Sequence, residues 1–286
     1  MPRLSRLRIY PVKGLDYTEV DSSEILEGGT LARDREFALF DASAVAGDGV
    51  DEAADGATDA GIDAETVDGN PHDNGVFNAK HSDRFHELDT AYDPETATLT
   101  VDPTDGERRQ FDLDAERDAA GAWFSAFFDH DLVLRRDASL GFVDRRGMGP
   151  SVISTATIET VASWFDGLSV ENVRRRLRAN VEVAGVPPFW EDRFVGDDAP
   201  AFTVGGVRFE GVTPCARCVV PERDPETGEA TPEFRDRFVE MRRETFPDWA
   251  DEGAFDHLYT LMLIAQVAEG DRSQELTVGD DVAVVD

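Results

Sequence analysis

Residues 202–221 read FTVGGVRFEGVTPCARCVVP, and this stretch decides the fold class. Phe202–Val204 and Val207–Phe209 are short apolar runs of strand character, and Val219–Val220 suggests a third. Working outward, the pattern recurs. Leu4–Val12, Ser22–Leu26, Glu36–Phe40, Ala97–Val101, Gln110–Leu113, Ser151–Ser154 and Asn180–Val183 read as strands, and Leu276–Val284 as strand, turn and strand. Helical spacing intervenes in three places. One run extends from about Ala115 to Phe128, with Ala120, Trp123, Phe124 and Phe127 in register. Another is capped by Ser154 or Thr155 and carries Ile158, Val161, Ala162, Phe165 and Leu168 on one face. A third starts at Thr231-Pro232 and turns Phe234, Phe238 and Met241 inward. Many short strands with interspersed helices, and no regular βαβ alternation, predict an α+β fold with a barrel-like sheet.

Composition narrows the function classes. The 286 residues are 41% hydrophobic, enough for a sizeable core, and no run approaches the ~20 apolar residues that span a bilayer. The first residues enter a strand pattern without an apolar leader, so a cytoplasmic location is expected and no membrane. The only two cysteines are three positions apart, which implies no disulfide framework. Sixty acids against 28 bases give a net charge of −32, and only Lys13 and Lys80 are lysine. Such an excess suits a salt-rich cytosol, where screening shortens self-repulsion, and it argues against nucleic acid as a partner. Residues 42–75 carry nine acids, no base and few large apolar side chains, and read as an exposed, mobile insertion.

In so acidic a chain, basic clusters are informative. Arg33 and Arg35 flank Asp34, and Arg174, Arg175, Arg176 and Arg178 crowd together before Asn180. Guanidinium forks pair phosphate bidentately, so these spots suggest anion recognition, although a basic helix end produces the same cluster. The segment Thr213-Pro214-Cys215-Ala216-Arg217-Cys218-Val219-Val220-Pro221 admits four readings. A redox pair needs its cysteines at a helix start, which Val219-Val220-Pro221 opposes. Structural zinc needs four ligands, and no second cysteine pair exists. Two inert buried cysteines, or a soft thiolate that binds a metal with Arg217 favouring its ionised form, remain open. Spacing alone does not choose between them.

Ile9-Tyr10-Pro11-Val12-Lys13-Gly14 and Leu31-Ala32-Arg33-Asp34-Arg35-Glu36-Phe37 resemble the β-barrel domain that precedes MOSC domains. Arg176-Leu177-Arg178-Ala179-Asn180-Val181, the Cys-Ala-Arg-Cys followed by Asp224-Pro225-Glu226-Thr227-Gly228, and Val278-Gly279-Asp280-Asp281-Val282 resemble the MOSC domain itself. The relevant members are the C-terminal part of molybdenum cofactor sulfurases and the mitochondrial amidoxime-reducing component. The resemblance implies an N-terminal barrel domain over residues 1–130, holding the 42–75 insertion, and a MOSC domain over 140–286. It implies a molybdenum-pyranopterin cofactor, with Cys218 as metal ligand and catalytic residue. Lys13, Arg35, Arg178 and Asn180 would fix the pterin and its phosphate, with Asp224 beside them ordering the loop after Cys218. The implied reaction is reduction of an N-oxygenated small molecule. Electrons would come from a separate ferredoxin- or flavin-type donor, because two cysteines cannot hold an iron–sulfur set. The alternatives are a persulfide sulfur carrier at Cys218 and a cofactor carrier without turnover. Pyridoxal phosphate is not expected, since it belongs to a separate part of sulfurases and neither lysine has a Schiff-base context. Gly14 stands where a serine is common in the family. Val220-Pro221-Glu222-Arg223 and Asn78-Ala79-Lys80-His81-Ser82 also depart from its pattern.

Overall fold

The computed structural model describes residues 1–45, 75–144 and 148–285. Strands β1 (Arg3–Ile9), β2 (Thr18–Val20), β3 (Ser22–Glu24) and β4 (Phe37–Asp41) come first, then the single helical turn α1 (Ala42–Val45). Next are β5 (Val76–Phe77), β6 (Leu88–Asp93), β7 (Thr98–Pro103), β8 (Arg109–Asp112), the helix α2 (Arg117–Phe128) and β9 (Leu132–Arg136). The remainder contains β10 (Ser151–Ser154), α3 (Thr155–Ser163), α4 (Val170–Leu177), β11 (Val181–Ala184), β12 (Ala201–Val204) and β13 (Val207–Ala216). It ends with α5 (Phe234–Glu244), β14 (Thr260–Val267), β15 (Glu275–Thr277) and β16 (Val282–Val285).

The fold is α+β. Eight strands form one sheet in the order β16-β12-β13-β14-β10-β11-β1-β2, antiparallel except for the β10–β11 pair. A parallel pair needs a crossover, and α3 and α4 supply it. Each starts on a serine cap: Ser154 Oγ accepts the Thr157 N–H at 3.0 Å, and Ser169 Oγ accepts the Asn172 N–H at 3.1 Å. The first residues of the chain complete this sheet, because β1 lies along β11, and β3 pairs with β15. Strands from both sides of residue 130 therefore share a core in which Leu4, Leu7 and Ile9 pack with Val181, Val183, Phe202 and Phe209. A second core forms where β5-β4-β9 and β6-β7-β8 enclose α2, around Phe85, Phe124 and Phe128.

Several elements differ from the sequence expectation. The helix expected through Leu168 ends at Ser163, and a new helix begins after a turn at Gly167, where φ is +87°. Phe165 and Leu168 still pack on the helical core, so the periodicity came from burial and not from one continuous helix. Val219–Val220 is no strand: Val220–Glu222 is a 3₁₀ turn, because Pro221 fixes its own φ and offers no N–H to a ladder. The strands β6 and β14 were not anticipated, and β13 runs on to Ala216. Pro214 sits in β13 where the register shifts against β14, the kind of bulged position at which strands tolerate proline. The insertion expected at 42–75 falls, apart from α1 and Gly75, outside the described residues. Among the described residues no helix is long and apolar enough to cross a membrane.

A net charge of −32 makes the compact state repel itself at low ionic strength. Melting temperature is expected to rise steeply from millimolar towards molar KCl, as the screening length falls from ~30 Å to ~3 Å. Thermal melts across KCl check this, and a melting temperature independent of salt overturns it.

Candidate functional site

A cavity of about 320 Å³ opens where the loops after β1 and β3 meet the C-terminal ends of α4 and β13. Among the described residues its lining holds five bases, Lys13, Arg35, Lys80, Arg178 and Arg217, against the two acids Asp34 and Asp144. That local excess of positive charge is the reverse of the chain's overall balance.

Lys13, Arg35 and Arg178 each have an identifiable support. The backbone N–H of Lys13 donates to Phe37 O at 2.8 Å, and its ammonium pairs with Asp144 at 2.8 Å. Desolvation pushes the Asp144 carboxyl up, but Lys13 and Arg35 outweigh it and hold its pKa down at about 2. Arg35 occupies the left-handed region at φ +52°, anchored by its N–H to Tyr10 O at 2.8 Å. Its guanidinium pairs with Asp34, whose other oxygen accepts the Tyr10 N–H at 2.8 Å. Arg178 closes α4 as a left-handed C-cap at φ +58°. Its guanidinium stacks on the Tyr10 ring 4.2 Å from the centroid and donates to Leu15 O at 2.7 Å. Burial lowers the Arg178 pKa; Tyr10 opposes that shift and the like charge of Arg35 adds to it. Among the described residues no carboxylate pairs directly with Arg178, so an anion here finds a cation that still lacks one.

Glycines shape the wall. Gly141, at φ +75°, brings the Val143-Asp144 segment so close that a Cβ would stand 2.5 Å from Asp34 O. Gly14 has φ +102°, so the serine common in the family would be strained there, and glycine is the residue the backbone needs.

The bulged end of β13 delivers the cysteines. Both line the cavity, Cys215 half-buried and Cys218 exposed. Tyr259 fastens the turn, its hydroxyl lying 3.2 Å from Glu222 Oε1 and 3.4 Å from Cys218 O. The expected partnership of Arg217 is altered: its Nη1 lies 3.3 Å from Cys215 Sγ, so the guanidinium attends the inner cysteine.

The structure thus gathers Lys13, Arg35, Arg178, Asn180 and Cys218 around one cavity. Asn180 lines it, yet its amide is committed to the sheets: Oδ1 accepts from Ser151 N–H and Oγ, and Nδ2 donates to Arg8 O at 3.0 Å. Asp224 is not part of the lining. Its carboxylate accepts from the N–H groups of Glu226 and Thr227 and from Asn172, and pairs with Arg176, so it orders the loop that follows the cysteines. Three of the four clustered arginines are similarly occupied: Arg174 by Glu182 and Glu171, Arg175 by Asp16 and Glu226, Arg176 by Asp224. Only Arg178 of the four reaches the cavity. Sequence reasoning missed Asp144, Met148 and Met262 in the lining. The run TLMLIAQV of β14 carried a strand signal for Met262, whereas the glycine-rich 141–149 segment gave only a loop signal.

A basic cavity with one accessible thiol, roofed by an N-terminal β-rich unit, defines the class of protein. A MOSC N-terminal beta barrel domain model matches residues 1–131 and a MOSC domain model matches 148–283. The chain belongs to the MOSC domain family. Molybdenum cofactor sulfurase of Caenorhabditis elegans is 29% identical over 119 residues, 40% of this chain and 16% of that protein. The Caenorhabditis briggsae sulfurase is 35% identical over 81 residues, 28% of this chain and 11% of that protein. The similarity therefore spans a small part of those relatives' length.

Proposed function

We propose that this chain binds a molybdenum-pyranopterin cofactor in the basic cavity and uses it to reduce N-oxygenated small molecules. The observation that carries the reading is the pairing of an anion-favouring cradle with a single exposed thiol. Among the described residues no group of three or more His, Cys, Asp or Glu side chains could hold a metal ion. A metal acting beside Cys218 must then arrive on another ligand, and an anionic organic cofactor suits the Lys13, Arg35 and Arg178 cradle. When bound, the cofactor supplies a two-electron redox centre suited to removing oxygen from nitrogen.

The protein's own contributions follow from its geometry. Lys13, Arg35 and Arg178 hold the phosphate, with Tyr10 keeping the two guanidinium groups in place. Asn180 braces the floor, and Cys218 offers its thiolate to the metal. A separate ferredoxin- or flavin-type protein supplies electrons. The relatives' name supports a second reading, in which Cys218 carries persulfide sulfur for cofactor assembly; its exposure suits either role. Molybdenum, pterin and labile sulfur measured on one preparation from the native host test both. Stoichiometric molybdenum and pterin are expected, and labile sulfur on Cys218 without molybdenum overturns the reductase reading.

A further inference from the structure

Arg217 stands between the two cysteines and lines the cavity, yet nothing in the cofactor reading uses it. Its Nη1 lies 3.3 Å from Cys215 Sγ and 3.9 Å from Met262 Sδ, and its Nη2 donates to Leu177 O at 3.0 Å. Its Nε is buried without a hydrogen-bond partner. Among the described residues Arg217 forms no ion pair with a carboxylate. The contrast with other buried arginines is sharp. Arg8, Arg174, Arg176 and Arg242 each have a carboxylate partner, as 60 acids in the chain make easy. Two sulfurs and one carbonyl are weaker partners for a positive charge in a cavity wall than the carboxylates the other buried arginines have.

The surroundings are built to keep it there. Arg217 N–H donates to Tyr259 O at 2.9 Å, which pins the Arg217 backbone to the residue that precedes β14, and the Tyr259 hydroxyl is shared between Glu222 Oε1 at 3.2 Å and Cys218 O at 3.4 Å. Met262, 4% exposed, holds φ at +76°, a costly conformation for an unbranched side chain with a Cβ. Relaxing that strain would move the strand position from which Met262 Sδ approaches Arg217.

We propose that Arg217 is an oxyanion receptor in the wall of the cavity that Cys218 also lines, and that the small molecule turned over there carries a carboxylate or a comparable anionic group. This rests on the reductase reading for the word substrate, but the receptor itself can be tested without it. In full-length protein expressed in a host that makes no pterin, Cys218 is alkylated with iodoacetate and, separately, with iodoacetamide, and peptide mapping identifies the modified cysteine. In both reactions the thiolate sulfur displaces iodide from the methylene carbon and the thiol proton passes to solvent; the reagents differ in charge. Arg217→Gln is expected to lower the iodoacetate-to-iodoacetamide rate ratio at Cys218 roughly tenfold or more, as loss of a charge-assisted contact implies. Arg217→Lys, which keeps the charge and loses the fork, falls between. An unchanged ratio in Arg217→Gln overturns the receptor, whatever the protein reduces. In cofactor-loaded protein, Arg217→Gln should raise KM for a carboxylated N-hydroxylated substrate at least tenfold more than KM for an uncharged one. Loss of cofactor instead assigns the guanidinium to the cofactor and sinks the substrate inference. If neither substrate is reduced by the unaltered protein, the reductase reading fails while the alkylation result stands.

Discussion

Glu182→Ala is expected to destabilise the fold by up to about 3–5 kcal/mol, because it removes the buried carboxylate shared by two buried cations. It leaves Arg8 only Glu19 and Arg174 only Glu171, carboxylates whose side chains are 43% and 49% exposed. Glu182 in β11 is 1% exposed and accepts from Arg8 in β1 at 2.9 Å and from Arg174 in α4 at 2.9 and 3.1 Å. It therefore ties the first strand of the chain, the sheet and the helix that presents Arg178 to the cavity. Burial pushes its pKa up, but Arg174 and Arg8 outweigh burial and lower it below the ordinary glutamate value. A depressed folded pKa contributes stability above the unfolded value of 4.5, and that stability is lost as pH falls through the folded value. Glu191 works the other way. It is 1% exposed, and burial together with neighbouring Asp192 raises its pKa. Its contribution is present below the unfolded value and is lost as pH rises through the folded one. Urea melts at fixed KCl, from about pH 4 to about pH 9, separate the two. Glu182→Ala should lose stability throughout the neutral range, while Glu191→Gln should flatten the alkaline decline. A neutral-pH loss below about 1 kcal/mol in Glu182→Ala, the ordinary range for a surface pair, would show that the lock carries little.

Much of this architecture is visible in local pattern. The strand at Ser151–Ser154 and the serine cap that opens the following helix follow from burial periodicity and capping chemistry, whereas the helix expected from Thr231-Pro232 begins at Phe234, behind Glu233, whose side chain makes no cap bond. The pairing of β1 with β11 is not visible, since partners 170 or more residues apart leave no local trace. The site divides in the same way. Lys13 and Cys218 stood out as rare residue types, and Arg35 as part of a basic cluster in an acidic chain. The Arg174–Arg178 cluster looked like four anion contacts, but whether an arginine is spent on Glu182 or faces a cavity depends on helix rotation. Arg178 escapes pairing because the left-handed cap turns it away from the helix face that carries Arg174. Asp144 depends on a loop whose approach Gly141 alone permits, which composition does not encode.

The remaining prediction separates ligand from anchor. Cys218→Ser replaces an exposed soft sulfur with a hard hydroxyl while leaving the basic cradle untouched. Cofactor content should survive, because charge-assisted hydrogen bonds of roughly 1.5–3 kcal/mol each still hold the phosphate. Reduction of N-hydroxylated compounds by artificial electron donors should fall by at least about a hundredfold, since even losing a group that only hydrogen-bonds a metal ligand costs about 10–100-fold. Cys215→Ser should be far milder: that sulfur is half-buried and already faces the Arg217 guanidinium. Lys13→Ala and Arg35→Ala act on the other pole. Each removes a cation beside Asp144 or Asp34, so the cradle loses positive charge and keeps its carboxylates. Cofactor content should drop in both, with activity per bound molybdenum largely retained. Metal, pterin and turnover measured on the same preparations distinguish the two poles. Full reductase activity in Cys218→Ser would remove the thiolate from the chemistry and overturn this reading of the site.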